Sequence, residues 1–281
     1  MKNLLFTATG CTRCKIVKNF MDEKGISFIE KDMRSDGKEE FQSFYKANRS
    51  SIYRGPDGIE FPIFTDGTQI RQGIGATIAY LHSGSKLDGF FSVGNLHREW
   101  VNGIHISGGN PQWTQDFLAV LRYLKSHNLK LQLDTNGKNS DILQQVLNEG
   151  LAQVMIMNVL GPRSLYSRIL GEEIDFSEVE KSIWLLPRFP DYKFQTTVVP
   201  VRREDEEEET GYLTPEEIGE TARLIEELTG SKKNPYLIKL FNPDTIEDER
   251  LKTIEPLAPS LLFKYRTAAR PYQVFTEVEK G

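Results

Sequence analysis

Beyond position 14 this sequence of 281 residues contains no cysteine. That absence excludes a disulfide framework, and it excludes a thiolate metal site built from the body of the chain. Long apolar runs are missing too, since nothing approaches the roughly 18 uncharged residues of a membrane span. The opening Met1-Lys2-Asn3-Leu4-Leu5-Phe6 begins like a signal peptide, but its apolar run stops at Thr7, too short for an h-region. Nor is there an excess of basic charge. With 35 Lys and Arg against 40 Asp and Glu the net charge is −5, which argues against nucleic acid or a membrane surface as a partner. The expected location is cytoplasmic, where a lone cysteine pair is more often catalytic or metal-binding than structural.

What the chain does have is Cys11-Thr12-Arg13-Cys14, between the apolar run Leu4-Leu5-Phe6 and the helical pattern Ile16, Val17, Phe20, Met21. A C-x-x-C at a strand-to-helix junction points to redox chemistry, because unpaired amides at a helix N-terminus favour a thiolate on the first sulfur. The second sulfur, one turn on, can close a disulfide with it. Arg13, Lys15 and Lys18 add positive charge and are expected to raise the thiolate fraction of Cys11 further. Arg13 has two readings, a substrate contact or a solvated helix residue with no specific contact.

Residues 1–84 read as one domain. Apolar patterning predicts strands over 4–7, 26–31, 62–65 and 68–72, and helices over 14–24, 38–48 and 74–82. Gly25 suits a helix C′ position, Gly55-Pro56-Asp57-Gly58 a turn and Asp66-Gly67 a hairpin, while Ser83-Gly84-Ser85 reads as a linker. This βαβαββα order, with C-x-x-C after the first strand, resembles the glutaredoxin family, which implies a thioredoxin fold. Cys11 and Cys14 match the family's catalytic pair. Glu60-Phe61-Pro62 falls at its x-x-Pro segment, whose proline is cis and faces the dithiol, and Gly73 at the glycine after the hairpin. With Arg13, the resemblance makes Phe61, Pro62 and Gly73 substrate-binding residues. The family's Gly-Gly-x-Asp-Asp stretch, which holds the amino end of glutathione, reads Gly73-Ile74-Gly75-Ala76-Thr77 here. Glutathione therefore stands as one alternative for the reductant beside a reductase.

Residues 85–281 read as a second domain. Strands are predicted over 103–107, 129–134, 154–159, 193–199 and 236–241, with helices over 114–126, 141–149, 177–186 and 214–229. Regular βα alternation implies an α/β architecture with a parallel sheet, either part of a (β/α) barrel or doubly wound. The acidic run from Glu204 to Glu209 reads as a solvated loop.

Two local sequences are more specific. Gly108-Gly109-Asn110-Pro111 follows a strand, and Leu131-Gln132-Leu133-Asp134-Thr135-Asn136-Gly137 ends one. Over roughly residues 100–250 they resemble radical SAM enzymes, above all the activating enzymes of anaerobic ribonucleotide reductase and of pyruvate formate-lyase. The resemblance implies a partial (β/α) barrel with a degenerate S-adenosylmethionine pocket at Gly108, Gly109, Asn110, Thr135 and Asn136. In that family three cysteines of a C-x3-C-x2-C loop after the first barrel strand hold an iron–sulfur cluster. Here both that strand and those cysteines are missing, the motif's glutamate is Asn110, and a Met-Asp-Ile-Lys stretch reads Met157-Asn158-Val159-Leu160. The expectation is a cluster-free domain that does not use S-adenosylmethionine and binds a partner or another ligand at its strand ends.

Three functions are compatible with these residues. The first is a thiol-disulfide oxidoreductase fused to a pseudoenzyme, its partner a protein disulfide client or a reductase, supplying electrons to an anaerobic radical-enzyme system such as that of ribonucleotide reductase. The second is an iron–sulfur protein whose cluster is bridged by Cys11 and Cys14 between two copies. The third is a non-catalytic adaptor. No histidine is expected to bind metal: His105 fits a strand, His97 a helix before Gly103, and His82 and His127 fit helix ends. Trp184 is expected in the core.

Overall fold

A computed structural model describes residues 3–202, 210–243 and 254–279, so the acidic run from Glu204 to Glu209 and Arg203 lie outside the described residues. By contacts the chain divides into one unit of Met1–Leu133 with Glu149–Gln153, and a second of Asp134–Asn148 with Val154–Gly281.

The first unit opens with β1 (Asn3–Thr7), α1 (Thr12–Glu23), β2 (Phe28–Asp32) and α2 (Lys38–Ala47). A two-residue hairpin, β3 (Arg54–Gly55) and β4 (Gly58–Ile59), precedes β5 (Ile63–Thr65), β6 (Ile70–Gln72) and α3 (Ile74–Ser83). The sheet order is β2-β1-β5-β6, with β1 parallel to β2 and antiparallel to β5, and β5 antiparallel to β6. Alternation along β1 decides what each face covers. Leu4 and Phe6 join Phe41, Ile52 and Ile63 in one cluster, while Leu5, fully buried, points the other way. In α1 the i, i+3, i+4 spacing of Cys14, Ile16, Val17, Phe20 and Met21 buries one stripe, and Gly25 follows in the left-handed region at φ +66°. Asp66 closes the β5–β6 hairpin by accepting the Thr68 and Gln69 amides, which delays the next strand to Ile70.

The chain does not loosen after α3. Gly84–Leu87 is a 3-10 turn whose Leu87 is buried, and Phe91 bridges antiparallel to Ile104 of β7 (Trp100–His105). The Ser92 amide donates to Gly103 O and the His105 amide to Phe90 O, so the segment 90–92 lies along β7. Next, α4 (Thr114–Ser126) packs on α3, with Tyr123 edge-on to Phe20 of α1 at 4.8 Å. Burial holds the Tyr123 hydroxyl up to about 12.

Further along lie β8 (Lys130–Thr135), α5 (Ser140–Asn148), β9 (Val154–Asn158), α6 (Tyr166–Leu170), α7 (Phe176–Leu185) and β10 (Asp191–Val198). They are followed by a small β11 (Pro200–Arg202) and β12 (Thr210–Tyr212) hairpin, α8 (Pro215–Thr229), β13 (Tyr236–Leu240), α9 (Leu262–Ala269) and β14 (Thr276–Glu279). The resulting six-stranded sheet has the order β14-β13-β10-β9-β8-β7, and β9–β10, β10–β13 and β13–β14 pair in parallel. Thr214 starts α8 with a full capping box to Glu217. In this second unit Tyr166 and Tyr236 are fully buried, and their hydroxyls reach Asn136 O at 2.6 Å and Thr196 Oγ1 at 2.8 Å.

Two expectations fail. Trp184 is not in the core but 49 % exposed, with the Arg188 guanidinium 3.3 Å from its ring centroid. That cation–π cover is local to one helix turn and invisible to an apolar count. His97 is not helical either: residues 92–97 carry no regular structure, and β7 starts at Trp100. Among the described residues no helix is long and apolar enough to cross a membrane.

Candidate functional site: the dithiol and its cleft

Helix α1 starts at the first cysteine. Cys11 is its N-cap, with extended backbone, and its sulfur accepts the Cys14 amide at 3.1 Å. The cap thus points sulfur at the unpaired amides of the first turn. Cys14 is 2 % exposed while Cys11 is only half-buried, and the two form a disulfide across a Cα–Cα distance of 5.3 Å. An attacking reagent meets Cys11 first.

The basic residues near the pair act differently from expectation. Lys18 Nζ holds both oxygens of Glu30 at 2.8 and 2.9 Å, so its charge is spent locally. Lys15 is exposed. Arg13 is buried, 8 % exposed, and turned away from solvent. Its Nη1 donates to Glu60 Oε1 at 2.6 Å, and its Nη2 to Leu96 O at 2.6 Å and to Trp100 O. The groups that face the Cys11 sulfur are therefore chiefly the amides of the first helix turn. Arg13 instead ties α1 to the loop before Pro62 and to the chain entering β7.

Glu60 completes that arrangement. Its side chain is 11 % exposed and its Oε2 has no hydrogen-bond partner. Burial pushes its carboxyl above the ordinary glutamate value, and the Arg13 charge and hydrogen bond pull the other way. Gly73 makes room for it: a Cβ there would stand 3.1 Å from Glu60 Oε1. The Gly73 amide donates to Pro62 O at 2.9 Å, and the Phe61–Pro62 bond is cis. Phe61 packs on Phe41 at 5.4 Å between ring centroids.

Beside Cys11 opens a cleft of about 680 Å3. Gly10 to Arg13 form one wall, Tyr53 and residues 55–61 another, and Gly94, Asn95, His97, Arg98, Glu99 and His127 to Leu129 a third. Cys11, Arg13 and Phe61 thus share one cleft, with Pro62 and Gly73 directly behind it. A second concavity of about 690 Å3 takes in both cysteines, Lys15, Lys18 and Glu30. The third wall was not anticipated, because its residues lie 80 or more positions beyond the cysteines and carry no motif.

The glycine pair of the second resemblance is occupied by the protein itself. A Cβ on Gly109 would overlap the Phe90 ring, and one on Gly108 would overlap Gly89 O. Residues 89–90 thus press directly on the motif, which serves close backbone packing. Asn110 caps the 3-10 turn at Pro111–Trp113 by accepting the Gln112 amide at 3.0 Å. In the second unit, Thr135 is buried and accepts the Gly137 amide, while Asn136 Oδ1 accepts that of Lys138. No cysteine follows Cys14, so these residues offer no thiolate to an iron–sulfur cluster. The second unit does hold a cavity of about 520 Å3, lined by Asn158, Val159 and Leu160 at the end of β9 and by Leu240, Phe241 and Asn242 at the end of β13. Among the described residues no three His, Cys, Asp or Glu side chains are grouped to hold a metal.

No protein-family model matches the sequence, and no curated protein matches it. Two solved structures superpose on part of the chain. A domain of the pyruvate-formate lyase-activating enzyme from Bacteroides vulgatus ATCC 8482 superposes with a TM-score of 0.44 at 12% identity, over 64% of this chain and 99% of that one. Coproporphyrinogen III oxidase (HemN) from Escherichia coli, a radical SAM enzyme, gives 0.41 at 15% identity, over 60% of this chain and 40% of its own.

Proposed function

We propose that the protein is a thiol-disulfide oxidoreductase whose N-terminal 84 residues form a thioredoxin fold of the glutaredoxin kind. The observation that carries this reading is the half-buried Cys11 at the cap of α1, joined to a buried Cys14 and facing a cleft. In the reduced protein the Cys11 thiolate attacks a substrate disulfide, releasing one thiolate and leaving a mixed disulfide. Cys14 then loses its proton and attacks Cys11 sulfur, and the second thiol leaves. The substrate gains two electrons and the protein disulfide is restored, so each cycle needs a thiol reductant, glutathione or a reductase.

The remainder of the chain is read as a radical SAM-like domain without a cluster, whose 520 Å3 cavity or surface engages a ligand or a protein client. A client in an anaerobic radical-enzyme system fits the sequence resemblance. Reduction of hydroxyethyl disulfide by the full-length, pre-reduced protein tests the central claim. Cys11→Ser should abolish it, whereas Cys14→Ser should accumulate a mixed disulfide on Cys11, detected by mass. Activity that survives Cys11→Ser would defeat the assignment.

A further inference from the structure

We propose that Arg98 makes the cleft beside Cys11 selective for small disulfides that carry a carboxylate. This rests on the oxidoreductase reading above. The carboxylates lining the cleft each have a partner: Glu60 on Arg13, Asp57 on His97 at 3.1 Å, and Glu99 on Lys130 at 3.4 Å. Arg98 is exposed and forms no hydrogen bond with any described residue, and its charge helps hold the neighbouring Glu99 carboxyl below the ordinary glutamate value. Arg13 cannot take its place, because its guanidinium is committed to Glu60, Leu96 O and Trp100 O.

The backbone at Arg98 supports a binding role independently. Arg98 at φ 58° and Asn128 at φ 61° are the non-glycine residues with positive φ among those described, and both line this cleft. For arginine that conformation is unfavourable and persists only where the surroundings impose it. Here Asn102 Oδ1 accepts the Asn95 and Leu96 amides at 2.9 and 3.0 Å, and Arg13 holds the carbonyls of Leu96 and Trp100. The chain on both sides of Arg98 is pinned while its guanidinium keeps all its hydrogen-bond donors for a ligand. A guanidinium so placed suits the two oxygens of a carboxylate, and the cleft volume of about 680 Å3 suits a small molecule.

The reaction is unchanged: one substrate S–S bond breaks, the protein S–S bond forms, and two thiols leave with the Cys14 proton and one proton from solvent. Full-length protein, reduced with dithiothreitol and desalted, is mixed in single turnover with dithiodiglycolate (anionic), hydroxyethyl disulfide (neutral) or cystamine (cationic). Each rate is divided by that of free dithiothreitol with the same disulfide, and ratios are compared within each variant, so the folded fraction cancels. Dithiodiglycolate should exceed hydroxyethyl disulfide by about fivefold at low salt, the upper end for an exposed ion pair, and the gap should shrink with added salt. Arg98→Asn should remove the preference and Arg98→Asp should reverse it towards cystamine, both residues tolerating the left-handed backbone. Equal ratios in the wild type, or a preference that survives Arg98→Asn, would overturn the proposal. Failure of the wild type to reduce hydroxyethyl disulfide at all would instead overturn the oxidoreductase reading beneath it.

Discussion

Replacing Arg13 by alanine should destabilise the protein far more than an active-site substitution ordinarily does. The Arg13 and Glu60 side chains are 10 % and 11 % exposed, so the substitution strands a buried carboxylate and frees two carbonyls, those of Leu96 and Trp100. Removing one member of a buried pair costs about 3–5 kcal/mol. That corresponds to a fall in Tm on the order of 10 °C for a domain of this size. The double variant Arg13→Ala/Glu60→Ala should cost less than the sum of its singles, because the second change removes the stranded charge. The pH dependence has a definite sign. The Glu60 carboxyl is pushed up by burial, so its contribution is fully present below the ordinary glutamate value and is lost as pH rises through the raised one. Without Arg13 to counter burial, that window moves further up. The Arg13→Ala penalty should therefore be smaller near pH 5 than near pH 7. Urea melts at the two pH values measure it. A penalty under about 1 kcal/mol, or one that grows towards acid, would refute the buried-pair argument.

The Asp66 carboxyl is pushed up by burial, but the bonds it accepts from the Tyr80 hydroxyl, the Gln69 amide and Thr68 outweigh that and hold it well below the usual range. Asp66→Ala should cost roughly 1–2 kcal/mol near neutral pH, a difference that disappears as pH falls below about 4 and through the lowered value; melts in acid that keep the full difference would exclude this origin. Gly109→Ala would drive a methyl into the Phe90 ring and should cost at least about 1–3 kcal/mol, partly recovered by Phe90→Leu; a neutral Gly109→Ala in thermal melts would mean that the glycine pair is not packed as described.

Elements whose signal is local were legible in the sequence. Ile16, Val17, Phe20 and Met21 predict α1, and the structure extends it by two residues to Thr12 because the Cys11 sulfur caps it. The strands β9, β10 and β13 end within one residue of expectation, since turn residues follow each apolar run. The short β14 carries too few residues for a periodic signal and was missed. The Cys11–Cys14 disulfide was legible because both sulfurs lie within four residues, whereas the contacts of Arg13 depend on carbonyls 83 and 87 positions away. Backbone acceptors leave no mark on residue identity, so no motif announces them. The same holds at Gly108-Gly109: a glycine pair looks alike whether it faces a ligand or the ring of Phe90.

The reach of Arg13 also bears on how the chain is made. Its two carbonyl partners leave the ribosome 83 and 87 residues after it does, a delay of about 4–17 s at ordinary elongation rates. During that interval its guanidinium remains hydrated, and the wall carrying His97, Arg98 and Glu99 does not yet exist. A nascent chain ending before Trp100 holds both cysteines without the hydrogen bonds that fix that wall. The cleft beside Cys11 is thus completed later in synthesis than the cysteine pair itself.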